Sequence, residues 1–181
     1  VLYNEMRRAV FLDRDGVINR AVVDKGKPYP PANLAAMEIL PTVPEALEQL
    51  SAAGFMLIVI TNQPDVARGT TAKATVEEIN HYLATHLPID EFRTCYHLDE
   101  HQCHCRKPAP GSLLAAAKKH QINLNQSYMI GDRWRDIEAG EQAGCKTIFI
   151  DYGYDEKQPT SMNFSVQTLR EAAQIIVGDK E

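Results

Sequence analysis

Apolar positions along the chain follow two alternating patterns: short unbroken runs, and longer stretches with helical spacing. Residues 9–12 (AVFL) form a short run that ends in carboxylates. Residues 56–60 (MLIVI) are apolar throughout, as a strand covered on both faces should be. Residues 92–97, 128–130 and 146–150 complete five predicted strands. Helices are predicted between and after them. Residues 44–54 place Ala46, Leu47 and Leu50 on one face with Val43 and stop at Gly54. Residues 75–87 open with a capping box, Thr75 and Glu78, and carry Val76, Ile79 and Leu83. Residues 110–121 start at Pro110, 134–144 close on Gly144, and 166–177 end the series. Residues 24–34 and 151–164 read as loose surface excursions. Strands joined by helical crossovers predict an α/β fold, a parallel sheet with helices on both faces, in one domain over 1–181.

Sheets of this kind bind ligands beyond the carboxyl ends of their strands. Asp13 and Asp15 follow the first strand, Thr61 and Asn62 the second, Arg106 and Lys107 the third, and Asp132 and Asp136 the fourth. Carboxylates two residues apart on extended chain point to one side, so Asp13 and Asp15 can face one atom together. Two unit charges 4 Å apart repel by about 4 kcal/mol at an effective dielectric near 20. A hard divalent cation such as Mg²⁺ relieves that repulsion with oxygen ligands and accepts a phosphate as well. A lysine and neutral donors beside it suit the remaining phosphate oxygens, which points to phosphoryl transfer. A calcium loop is excluded, because Gly16 stands fourth rather than sixth and Asp24 replaces the closing Glu. Asp132 on its own would also serve as a helix cap.

Composition narrows the partners. The chain has 181 residues and a net charge of −5, which argues against nucleic acid or an acidic membrane surface. No apolar run approaches the roughly 20 residues of a membrane span, and the opening residues lack a signal-peptide pattern, so a cytoplasmic protein is expected. Three of the four cysteines fall within residues 95–108, which in a reducing compartment favours metal over disulfide. Cys145 stands apart and reads as a small buried residue.

The segments FLDRDGVIN, VITNQ, CRKP and MIGDRWRDIEAG resemble, in order, the four signature motifs of the haloacid dehalogenase (HAD) superfamily of phosphohydrolases. The resemblance implies an HAD-like three-layer fold and an aspartyl-phosphate mechanism. It makes Asp13 the nucleophile and Asp15 the general acid and base. Thr61, Asn62 and Lys107 hold the phosphoryl group. Asp13, Asp132 and the main-chain carbonyl of Asp15 bind Mg²⁺, Asp136 orients the set, and Arg133 faces the substrate. A carboxylate nucleophile splits the hydrolysis into two easier steps, in keeping with the reading from strand ends.

Cys95, His97, Cys103 and Cys105 form a C-x-H-x5-C-x-C set, a complete Cys₃His tetrad suited to a closed structural Zn²⁺ site. His101 and His104 lie nearby, so His97 is selected by its spacing and by the resemblance. Lys107 follows Cys105 by two residues, so the zinc loop (95–105) reads as a brace for the lysine. This loop is similar to that of an HAD branch containing the heptose-bisphosphate and histidinol-phosphate phosphatases. That branch lacks a large cap domain, and the spacings leave no room for one here. TNQPDVARG and the P-x-P-G after the lysine favour the heptose bisphosphate as substrate, whereas the short x5 spacing points toward histidinol phosphate; another small sugar phosphate is a further alternative. Arg68, Arg106 and Arg133 are candidates for a second phosphate or for sugar hydroxyls. The expectation is a monomeric enzyme of surface-polysaccharide heptose metabolism acting on a small sugar phosphate. A catalytically silent binding domain on the same scaffold is the alternative of another class.

Overall fold

The computed structural model describes residues 6–179. Its centre is a six-stranded sheet in the order β5-β4-β1-β6-β7-β8. The strands are β1 (Ala9–Leu12), β4 (Met56–Asn62), β5 (Glu91–Cys95), β6 (Tyr128–Gly131), β7 (Lys146–Ile150) and β8 (Phe164–Val166), and every pairing is parallel. Alternation along the strands divides the core in two. Val10, Leu12, Leu57 and Val59 face one side, while Ala9, Phe11, Ile58 and Ile60 face the other. Helices α1 (Val43–Ala52), α3 (Lys73–His86) and α6 (Leu169–Gly178) cover the first side through Leu47, Leu83 and Ala173. Helices α4 (Gly111–His120) and α5 (Trp134–Ala143) cover the second through Leu113 and Ala139. A single helical turn, α2 (Asp65–Arg68), follows β4.

Three features depart from the sequence expectation. Residues 24–34 are not wholly loose: β2 (Val22–Asp24) and β3 (Lys27–Tyr29) pair as an antiparallel hairpin, with no larger insertion beside the sheet. Helix α3 starts at Lys73, and Ala72 supplies no side-chain cap, so the Thr75–Glu78 box falls inside the helix. Residues 164–166 form the sheet edge β8, and the last helix begins after Thr168, whose hydroxyl accepts from Glu171 N. Cys145 is buried in the second core, where burial pushes its thiol up to about 12. Among the described residues, no helix is long and apolar enough to cross a membrane.

Candidate active site

The carboxyl ends of β1, β4 and β6 converge on one edge. Asp13 directly follows β1 and keeps its register, donating its amide to Ile130 O at 3.0 Å. Asp132 directly follows β6, and Asp136 lies in the first turn of α5. Ligand atoms of Asp13, Asp132 and Asp136 all lie within 4.8 Å of one another, and all three residues are buried. Into this group projects Lys107, 1% exposed, with its ammonium 2.8 Å from Asp13 Oδ1 and 2.7 Å from Asp136 Oδ1. It also donates to Ile60 O at 2.5 Å. Burial alone would lower the lysine pKa, but Asp13 and Asp136 more than offset it and hold the lysine charged.

Three carboxylates against one ammonium leave the cluster with two excess negative charges. Burial, reinforced by neighbouring carboxylates, pushes the pKa of both Asp13 and Asp132 upward. Asp132 Oδ1 is buried without a hydrogen-bond partner. An unpaired buried carboxylate oxygen is costly, and a divalent cation would satisfy it and balance the charge. The residues present therefore fit Mg²⁺. The close fit extends to the chain trace: Gly16 has φ +89°, and a Cβ there would lie 1.9 Å from Asp132 Oδ2. The Asp15 carboxylate turns to other partners. It accepts from Arg14 at 3.0 Å, Asn19 Nδ2 at 2.9 Å and Gln63 Nε2 at 2.8 Å.

Other expected residues are placed less simply. The Thr61 hydroxyl is buried and accepts from Gln63. The Asn62 side chain is engaged at both ends with the Lys107 main chain, donating to its carbonyl at 3.0 Å and accepting from its amide at 3.1 Å. It holds the lysine loop against β4. Helix α5 is capped by Asp136 Oδ2, which accepts from Arg133 N at 3.0 Å, rather than by Asp132. The Arg133 guanidinium lines the cleft but is paired with Glu156. Arg68 also lines the cleft and pairs with Asp65 at 2.9 Å.

A cleft of about 270 Å³ opens above the acid cluster. Arg106 and Arg135 line it and share the Asp99 carboxylate, with Arg106 Nε at 2.7 Å and Arg135 Nη2 at 3.0 Å. The sequence reading missed Arg135 and the buried Arg14, which donates to Asn80 at 2.9 Å, and gave Asp99 and Gln63 a place near the substrate mouth but no role. The signal for Arg135 was its place between Asp132 and Asp136 on the opening turn of a helix aimed at the site. The role of Asp99 had no local signal, because only the fold of the Cys/His loop sets its carboxylate between the two arginines.

In that loop the Cys95, His97, Cys103 and Cys105 ligand atoms also lie within 4.8 Å of one another. Sγ of Cys105 is 3.1 Å from Cys95 and 3.5 Å from Cys103, and His97 Nδ1 is 3.3 Å from Cys105 Sγ. Burial, opposed by hydrogen bonds from its neighbours, leaves the Cys103 thiol down at about 7, while burial pushes Cys95 up. Three converging sulfurs and one imidazole fit Zn²⁺ by number and softness. His101 is not among the clustered ligands, and its Nδ1 accepts from Leu98 N at 2.9 Å.

Comparison with known proteins agrees with this architecture. Residues 104–172 match the HAD-hydrolase-like family. The chain is similar to the D-glycero-beta-D-manno-heptose-1,7-bisphosphate 7-phosphatase of Helicobacter pylori, 39% identical over 79% of this chain and 83% of that one. It is 31% identical to the Pasteurella multocida protein of the same name, over 97% of this chain and all of that one. Among solved structures, the D,D-heptose 1,7-bisphosphate phosphatase from B. bronchiseptica, complexed with magnesium and phosphate, superposes with a TM-score of 0.76 at 26% identity. It covers 94% of this chain and 98% of that chain.

Proposed function

Because the chain belongs to the D-glycero-beta-D-manno-heptose-1,7-bisphosphate 7-phosphatase family of HAD-like hydrolases, we propose that it removes the 7-phosphate of that sugar bisphosphate. The observation that carries the substrate assignment is the 31% identity extending over the whole length of the Pasteurella multocida relative. The arginines above the acid cluster support it, since a bisphosphate brings a second anion to the cleft. The product, a heptose 1-phosphate, would supply the sugar for lipopolysaccharide synthesis.

In this reading Asp13, Asp132 and the Asp15 main-chain carbonyl would hold Mg²⁺, which would supply positive charge against the phosphoryl oxygens and the crowded carboxylates. Lys107 keeps Asp13 oriented and neutralises the phosphoryl group as it arrives. Asp13 attacks phosphorus, forming an acyl-phosphate bond as the bond to the C7 oxygen breaks. Asp15 gives its proton to the departing oxygen, then takes one from the water that cleaves the acyl phosphate. Inorganic phosphate leaves and Asp13 is restored. Gln63 links this acid–base carboxylate to Thr61, which ties the two strand ends together. Zn²⁺ in the Cys₃His loop would fix Cys105 and with it one side of Lys107, while Asn62 fixes the other.

The test is phosphate release with Mg²⁺, comparing the heptose bisphosphate with histidinol phosphate by kcat/KM. A large preference for the heptose, with loss from carbon 7, supports the proposal. A preference for histidinol phosphate overturns the substrate. No release from any phosphate ester, in wild type and Asp13→Asn alike, would favour a silent binding domain.

A further inference from the structure

The segment after β7 carries chemistry that the mechanism above leaves unused. The Tyr154 hydroxyl donates to Asp132 Oδ2 at 2.8 Å, in a buried contact. The other oxygen of that carboxylate, Oδ1, is the buried one without a hydrogen-bond partner. Two residues earlier, the Tyr152 hydroxyl donates to Gly16 O at 2.8 Å, on the turn that follows the Asp13 loop. The two rings stack, with centroids 5.5 Å apart and planes inclined by 29°. Beyond them, Asp155 N donates to Gly26 O in the hairpin at 2.8 Å, and Glu156 takes the Arg133 guanidinium. One short segment is thus fastened to the turn behind the nucleophile, to the hairpin, to Asp132 and to Arg133.

A carboxylate on a broad, nearly two-fold terminal torsion has no intrinsic preference for which oxygen it presents. Among the like charges of Asp13 and Asp136, Asp132 would be driven to rotate away. A phenol donating to Oδ2 removes that freedom. It brings no charge, so it orients the carboxylate without competing for a cation. Gly16 closes the space on the Oδ2 side, which leaves Oδ1 as the free ligand atom.

We propose that Tyr154 is a positioning residue for the cation site, locking Asp132 with Oδ1 available as a ligand, and that Tyr152 holds the segment in register by its bond to Gly16. The inference rests on the phosphatase reading given above.

The experiment is Mn²⁺ binding to zinc-loaded protein, followed by electron paramagnetic resonance, for wild type and Tyr154→Phe. The Mg²⁺ dependence of phosphate release and a thermal melt are measured alongside. Loss of a partner that orients a metal ligand typically weakens metal affinity by about 10- to 100-fold, and that is the loss expected for Tyr154→Phe. The Mg²⁺ concentration for half-maximal activity should rise in parallel, while kcat at saturating Mg²⁺ is largely retained. Tyr152→Phe should show a smaller loss in the same direction. Wild-type affinity in Tyr154→Phe overturns the proposal, even if its melting temperature falls. If Tyr154→Phe does not fold, unchanged affinity in Tyr152→Phe overturns it instead. A wild type that neither binds Mn²⁺ nor releases phosphate overturns the proposed function itself, and this inference with it.

Discussion

The acid cluster at the sheet edge and the thiol–imidazole cluster of the loop both crowd metal ligands within 4.8 Å, yet different things hold them in place. The acid cluster stands on the ends of β1 and β6 and the first turn of α5, elements packed into both faces of the core. Its lysine sits inside it and already cancels part of its charge. The loop cluster has one ligand on a strand, Cys95, and three on turns with little buried surface of their own. The first is framed by packed elements of the core. The second is framed by hydrogen bonds such as Ser112 Oγ to Cys105 O and Arg106 to His97 O, so an ion would contribute a larger share of its shape. The contrast teaches where an ion in each would act: one on the chemistry, the other on the frame that carries Lys107.

The largest expected effect tests the first half of this contrast. Asp13→Asn should lower kcat by on the order of 10⁴- to 10⁶-fold, the scale seen when a covalent nucleophile is removed. Its melting temperature should move little, because one polar group of equal size replaces another on a packed strand end. Collapse of the fold instead would show that the acid cluster also depends on charge balance for its shape.

Zinc removal tests the second half. Cys103→Ala should lower activity by about 10- to 100-fold. Losing roughly 3 kcal/mol with the metal would lower the melting temperature by roughly 6–12 °C, read by calorimetry in the presence of Mg²⁺. Full activity in a verified zinc-free sample would mean that the Asn62 clamp alone holds Lys107, and that the loop is not a brace.

Two smaller effects separate the cleft rim from both clusters. Arg135→Ala should raise KM for the bisphosphate about tenfold with little change in kcat, as expected when a charge-assisted contact of roughly 1.5 kcal/mol is lost. An equal effect on a substrate with a single phosphate would sink the assignment of Arg135 to the second anion. Asp99→Asn should change KM by no more than about fivefold, since its carboxylate is largely exposed and exposed pairs contribute roughly 0–1 kcal/mol. The expected direction is tighter binding, because Arg106 and Arg135 would be released toward the substrate.

Much of this arrangement was legible in one dimension. Short apolar runs of three to five residues between helical stretches pointed to the parallel sheet, because a strand buried on both faces cannot alternate. The residues just past those runs had to share one edge, which brings Asp13 and Asp132 together, and the Cys/His loop after the third strand ends at Lys107. The spacing of Cys95, His97, Cys103 and Cys105 gave a four-ligand cluster for the same reason, since a loop that short cannot separate them far. Residues 151–163 are irregular and largely exposed, as the sequence suggests, but Tyr154 among them is buried against Asp132, a contact that residues without periodicity do not signal. The hairpin at 22–29 was hidden by its prolines and by having only three residues per strand.

By itself, then, the sequence determined five of the six sheet strands, the order of the motifs and the identity of the groups at the sheet edge, because period and chain order are local properties. Only the tertiary structure decided how those groups are oriented. Asn62 grips the lysine main chain, Gln63 ties Asp15 to Thr61, Asp99 gathers two arginines, and Tyr154 leaves one oxygen of Asp132 unpaired. Each of these contacts joins segments far apart in the chain or turns on a side-chain torsion, and neither leaves a trace in residue spacing.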